Sequence, residues 1–253
     1  MLSTIIVTKN DRARIAKTLD SLSTQVGTSV GDWEIVIVDG GDDQLQDILS
    51  NFPSLPIRYF PSQDKGIYDA MNIGTNLSRG EFVHFLNCGD LLFEEFTLSK
   101  TLQAIDMQEF DLYFWDYSIL GSLEIISFEN VTAFNTIFYR NSYCHQAQII
   151  RRRLLLDLKY NLNFKFCADY LTTLKILSIG KCKTLSFTGV YYEPGGFSDN
   201  HFSEIVLEKR LAFLDFISFS KHLGLELNKL DLIKGFLWNA NPLLTKVLHR
   251  MFR

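Results

Sequence analysis

Three acidic residues stand where short apolar runs stop. Asp39 closes the run IVIVD and is followed by Gly40 and Gly41, Asp64 lies in PSQDKG, and Asp90 ends FLNCGD. A carboxylate at a strand's end can accept hydrogen bonds from a base ring N–H or from ribose hydroxyls. It can also serve a hard cation such as Mg2+ or Mn2+, which needs few protein ligands when substrate phosphates complete its shell. The same residue types suit turns and helix caps, and Asp before Gly-Gly is a common turn signature. The company each carboxylate keeps decides between these roles.

The elements that must position them follow from periodicity. Residues 2–7, 34–38, 57–60 and 81–86 are short apolar, β-branched runs. Between them, Ile15, Leu19 and Leu22 share one helical face, 44–50 suits a short helix, and 67–77 reads as a longer one. This alternation implies an α/β fold: a mostly parallel, Rossmann-like sheet flanked by helices. Ligands of such sheets bind beyond the strands' carboxyl ends, where all three carboxylates lie. Farther on, 111–120, 123–128, 146–150, 182–187 and 190–192 are expected to be strands, and 170–179 a helix. From about residue 203 only helical spacing remains, which divides the chain into a body over 1–200 and a helical C-terminal extension over 201–253.

Composition narrows the function. The 253 residues carry 25 basic and 29 acidic side chains, a formal charge of −4, so no whole-chain cationic field exists to hold nucleic acid. No stretch approaches the roughly 20 apolar residues of a spanning helix. The first apolar run lacks the flanks of a secretion signal. Cys88, Cys144, Cys167 and Cys182 are scattered without ligand spacing, which argues against a zinc site and suits a reducing cytoplasm. The aromatic content is high, at 21 Phe, 10 Tyr and 3 Trp.

The ordered segments TIIVTKN, EIVIVDGG, PSQDKGIYDAMNIGTNLSRGEFVHFLNCGD, CHQAQIIRR, FKFCADY and EPGGFS resemble family 2 glycosyltransferases of the GT-A fold. Within that family they more closely resemble the bacterial polysaccharide-assembly branch that includes colanic acid biosynthesis transferases. The resemblance implies a nucleotide pocket lined by Thr8, Asn10, Asp39, Asp64, Lys65, Gly66, Asn72 and Asn87. It implies a metal contact at Asp90, although Asn87 and Gly89 stand where many relatives carry further carboxylates. It implies a catalytic base at Asp169, a residue that would equally cap the helix after it. His145 and Gln146 of the CHQ segment would face the donor phosphates or the acceptor. Gly195, Gly196 and Ser198 would form a loop whose N–H groups close over a diphosphate, with His201 a further candidate contact. The implied reaction is inverting transfer from a UDP- or GDP-sugar, with Mn2+ or Mg2+, to a saccharide or lipid-linked saccharide in the bacterial cytoplasm.

Two other functions stay open at this level. A sugar nucleotidyltransferase would also need a base pocket and metal carboxylates, but it would carry a Gly-rich loop after the first strand, where this chain has Thr8-Lys9-Asn10-Asp11. A nonenzymatic sugar-nucleotide-binding subunit would suit the reduced Asn87–Asp90 segment. Residues 234–253 contain Lys234, Lys246, His249, Arg250 and Arg253 and no acid, with Leu244, Val247, Leu248 and Met251 on one helical face. Such a segment suits either the inner face of a membrane or a protein partner, including a second copy of the chain.

Overall fold

In the computed structural model, the residues described are 1–29, 31–42, 45–105, 108–128, 144–196, 201–225 and 227. Their strands form one sheet in the order β3-β2-β1-β4-β8-β6-β9-β5, with β7 on β6. The first four are β1 (Leu2–Thr8), β2 (Trp33–Asp39), β3 (Ile57–Pro61) and β4 (Phe82–Phe85). They run parallel, and every residue of β1, β2 and β4 is buried, as expected of strands covered on both faces. The helices α1 (Arg12–Ser23), α2 (Gln46–Leu49) and α3 (Ile67–Leu77) supply the crossovers. Ile15, Leu19 and Leu22 turn inward from α1, as their spacing predicts. Strand order 3-2-1-4 reverses between β1 and β4, and that reversal opens a crevice at their carboxyl ends.

The second half extends this sheet. Strand β5 (Leu91–Leu92) is followed by α4 (Thr97–Ala104), β6 (Leu112–Ile119) and β7 (Ile125–Ile126). A 3-10 turn (His145–Ala147) leads into β8 (Gln148–Arg151), which is antiparallel to both β4 and β6. Then come α5 (Arg152–Leu158), α6 (Ala168–Ile179), β9 (Cys182–Tyr192) and α7 (Phe202–His222). The strand expected at 146–150 thus begins later, because the CHQ residues form the turn before it. The two strands expected at 182–187 and 190–192 are one, β9, whose register against β6 shifts at Trp115 and Asp116. Gly189 explains the irregularity: a Cβ there would lie 2.1 Å from the Trp115 ring. Helices α4 and α5 were not anticipated; both are short, and α5 buries only Leu155.

Helix α7 packs along α6 through Ala212, Phe213 and Phe216, all at 0–1% exposure, and Lys175 of α6 pairs with Asp215 at 2.7 Å. The N-terminal part of the extension therefore shares the core of the body. Residues 234–253, with the membrane or partner role expected of them, and Ser198 lie outside the described residues. Among the described residues, no helix is long and apolar enough to cross a membrane.

Candidate active site

The loops after β1, β2, β3 and β4 converge at the crevice. Asp39, the last residue of β2, is 2% exposed. Its Oδ1 accepts from the Gly41 N–H at 2.9 Å and its Oδ2 from the Tyr59 hydroxyl at 2.8 Å. The turn reading describes its contacts, since the carboxylate builds the Gly40-Gly41 turn at the carboxyl end of β2. That turn is closely packed: a Cβ on Gly40 would lie 2.2 Å from Asp64 Oδ2, and one on Gly41 2.5 Å from Asn10 Oδ1. Asp64 and Asn10 thus meet Asp39 around two residues without side chains. Asp64 also accepts from the Gly66 N–H at 3.0 Å, which shapes the loop carrying the exposed Lys65. The hydroxyl of Thr8 at the end of β1 is buried beside the Cys88 thiol and has no oxygen or nitrogen partner.

Asp90 lies deeper, at 2% exposure. Gln146 Nε2 donates to its Oδ2 at 2.9 Å and the Glu193 N–H to its Oδ1 at 2.8 Å. Burial raises its carboxyl to about 6, with these two hydrogen bonds acting in the opposite direction. Gly195 and Gly196 follow Glu193 after Pro194, so the loop expected to close over a diphosphate begins beside the Asp90 carboxylate. Gly89 has φ +98°, and a Cβ there would fall 1.9 Å from Glu193 Oε2. Glu193 in turn pairs with Arg14 at 2.6 Å. The absence of a carboxylate at position 89 has a steric reason: this acidic side chain from the far end of β9 fills the space.

Among the described residues, no group of three or more His, Cys, Asp or Glu is placed to hold a metal ion unaided. The donors at hand are the Asp90 carboxylate, which makes no salt bridge among the described residues, and Asn87 Oδ1, which is buried with no hydrogen-bond partner among them. That oxygen set fits a Mg2+ or Mn2+ ion whose remaining ligands come from substrate phosphates.

Asp169 is the second residue of α6, and Cys167 caps the helix, so the capping alternative does not describe it. Its carboxylate accepts from the Tyr68 hydroxyl at 2.8 Å through Oδ1, and its Oδ2 lies 3.1 Å from His145 Nδ1. Burial works to raise this carboxyl, but the hydrogen bonds from His145 and the Tyr68 hydroxyl outweigh it and hold Asp169 below the ordinary aspartate value. Tyr68 moves the other way: burial and the neighbouring Asp169 push its hydroxyl well up. The Asp169 side chain keeps 21% exposure, enough to meet a ligand. His145 Nε2 then lies 3.0 Å from Asn87 Nδ2, linking the Asp169 side of the crevice to the loop after β4.

The structure therefore brings together Thr8, Asn10, Asp39, Asp64, Asn87, Asp90, His145, Gln146 and Asp169, with Gly66, Gly195 and Gly196 alongside. Asn72 departs from expectation. Its side chain donates to the Tyr160 carbonyl and accepts from the Tyr160 N–H, both at 2.9 Å, so its amide is spent tying α3 to the loop after α5. His201 lies against the Phe166 ring, 4.9 Å between centroids. Sequence reasoning missed Tyr68, Tyr59 and Glu193 as partners of the carboxylates; only their nearness to the motifs hinted at them. Phe114 and Trp115 are fully buried in the core.

The carboxylate-lined crevice thus opens at the carboxyl ends of β1, β2 and β4, where the strand order reverses. Residues 3–157 match the family model for glycosyl transferase family 2, and the chain belongs to that family. It is a glycosyltransferase. It is 33% identical over 238 residues to the PGL/p-HBAD biosynthesis glycosyltransferase of Mycobacterium bovis (strain BCG / Pasteur 1173P2), covering 90% of this chain and 88% of the relative. Its fold is similar to that of S. aureus TarS residues 1–349, with a TM-score of 0.72 and 22% identity over 94% of this chain and 71% of that one. The mannosyltransferase PcManGT from Pyrobaculum calidifontis, solved with GDP-Man and Mn2+, has a TM-score of 0.64 and 15% identity, covering 97% of this chain and 72% of that one.

Proposed function

We propose that this glycosyltransferase moves a sugar from a nucleoside diphosphate donor, with inversion, to a saccharide or lipid-linked saccharide acceptor in bacterial surface glycan assembly in the cytoplasm. The observation that carries this reading is Asp169: a carboxylate kept ionised, partly exposed, and joined through His145 and Asn87 to the loop that ends in Asp90. Support for the donor class comes from TarS, solved with UDP and with UDP-GlcNAc, and from PcManGT with GDP-Man. The mycobacterial relative's assignment to PGL/p-HBAD biosynthesis supports the glycan-assembly setting.

The base and ribose would sit over the Gly40-Gly41 turn, held by Asp39 and Asp64 with Thr8 and Asn10 at the floor and Lys65 and Gly66 at the rim. The diphosphate would lie toward Asn87 and Asp90, with the backbone of Gly195 and Gly196 over it. Asp169 removes the proton of the acceptor hydroxyl as that oxygen bonds to the anomeric carbon. The bond from that carbon to the diphosphate oxygen breaks on the opposite face, and the proton stays on Asp169. A Mg2+ or Mn2+ ion held by Asp90 would supply Lewis-acid neutralisation of the leaving diphosphate. Residues 234–253, basic and apolar on one face, would bring the enzyme to an anionic membrane surface or to a second subunit.

Asp169→Asn tests the assignment. Turnover should fall by about 10² to 10⁴-fold with donor affinity retained. Near-normal turnover in this variant would reject Asp169 as the base.

A further inference from the structure

The CHQ segment grips both acidic centres with adjacent side chains. Gln146 Nε2 donates to Asp90 Oδ2 at 2.9 Å, and His145 Nδ1 lies 3.1 Å from Asp169 Oδ2. Both belong to the same 3-10 turn, which is fixed from the core side. The buried His84 ring contacts the Gln146 carbonyl at 2.9 Å through Nε2, and the Cys144 thiol donates to Gln146 Oε1 at 2.8 Å. The second contact orients the Gln146 amide, so its NH2 group must face Asp90.

His145 is oriented from its other side as well. Asn87 presents Nδ2 to His145 Nε2 at 3.0 Å while its Oδ1 remains buried and unpartnered. An amide NH2 donates and cannot accept, so Nε2 must offer its lone pair and the ring proton must sit on Nδ1, facing Asp169. A doubly protonated ring would set N–H against N–H at Asn87. The hydrogen bonds then run in one direction, from Asn87 to His145 to Asp169, while Tyr68 donates to the second Asp169 oxygen at 2.8 Å. Both carboxylate oxygens are thereby held by a hydrogen bond.

We propose that His145 is a positioning residue for Asp169, acting as the neutral ring protonated on Nδ1 with its tautomer set by Asn87. Together with Gln146 it fixes the separation between the base and the donor-side carboxylate. This rests on the reading of Asp169 as the base, and it assigns His145 a role other than contact with donor phosphates or acceptor.

Two measurements test it. Nitrogen-15 NMR of histidine-labelled, full-length protein without substrate should show one ring, lost in His145→Asn, in the neutral Nδ1-protonated form. An Nε2-protonated or doubly protonated ring at that position overturns the proposal whether or not the enzyme is active. In steady-state assays His145→Ala should lower kcat by about 10²-fold with donor KM changed by no more than about twofold. His145→Asn carries an amide donor near the Nδ1 position and should recover about tenfold of that loss, whereas His145→Gln, with its donor displaced, should not. The Asn and Gln pair alone decides the matter if the Ala variant does not fold. Equal kcat in Asn and Gln, or a raised donor KM at unchanged kcat, overturns the proposal. Wild-type protein inactive on every nucleotide sugar would instead overturn the proposed reaction and leave the tautomer result standing.

Discussion

At Asp169 two opposing effects act on one carboxyl: burial favours its protonated form, and hydrogen bonds from His145 and Tyr68 favour the ionised one and prevail. Tyr68→Phe removes one of those donors with little change of shape. Because the Tyr68 hydroxyl stabilises the ionised form, its loss raises the carboxyl, and the acidic limb of the kcat/KM profile should move to higher pH. A pH–rate profile of the variant checks this; an unmoved limb would mean that Tyr68 does not tune the base. Gly89 makes a steric prediction at the same scale. Gly89→Ala must adopt φ near +98° and displace Glu193 from Arg14, which should cost about 1–3 kcal/mol in urea unfolding. Residue types and spacing alone pointed to Asp39, Asp64 and Asp90, and the family resemblance pointed to Asp169. What spacing could not supply is partnership. Glu193 reaches Asp90 across 103 positions of sequence, and Tyr68 reaches Asp169 across 101, so no local pattern records either contact.

Element geometry explains how Asp169 is presented. The loop entering α6 would leave its N–H groups unpaired, and Glu208 of α7 accepts three of them: Lys165 at 2.8 Å, Phe166 at 2.7 Å and Cys167 at 3.1 Å. Cys167 occupies the N-cap position of α6 and precedes Asp169 by two residues, so α7 holds the start of the helix that carries Asp169. Glu208→Ala should cost about 1–3 kcal/mol of stability. Its kcat should also fall below that of a surface control such as Glu204→Ala; equal kcat in the two would separate α7 from catalysis. Periodicity found α3 with the bounds 67–77 and the parallel strands to within a residue or two, because those segments keep an apolar pattern of the right period and are bounded by turn residues. It split β9 at Thr188-Gly189, where a glycine normally signals a break. Here the glycine makes room for Trp115 of the neighbouring strand, a contact that sequence order conceals.

The whole molecule feels its buried histidine. His84 sits under the CHQ turn at 0% exposure, and burial lowers its ring to about 4. The folded value lies below the unfolded one, so the neutral ring contributes its full stability above about pH 6.5 and loses it as the pH falls toward 4. Between pH 7.5 and 4.5 the protein should lose about 2–3 kcal/mol through this group. His84→Gln should show a correspondingly smaller loss in urea titrations at the two pH values; an unchanged difference would remove His84 as the cause. At the same scale, co-sedimentation of the full chain and of residues 1–233 with anionic liposomes tests the tail, and identical binding rejects a membrane role for it.

The sequence by itself determined the parallel α/β half, because apolar period and turn chemistry are local. It also determined that the acidic residues end strands at the ligand edge, because such a sheet places every strand's carboxyl end on one side. Only the tertiary structure decided that Asn72 is spent on the Tyr160 backbone, that Glu193 fills the space beside Gly89, and that His145 and Gln146 each hold one acidic centre. Those outcomes depend on which side chains from distant segments compete for the same few ångströms, and pairing of that kind is settled only when the sheet has closed.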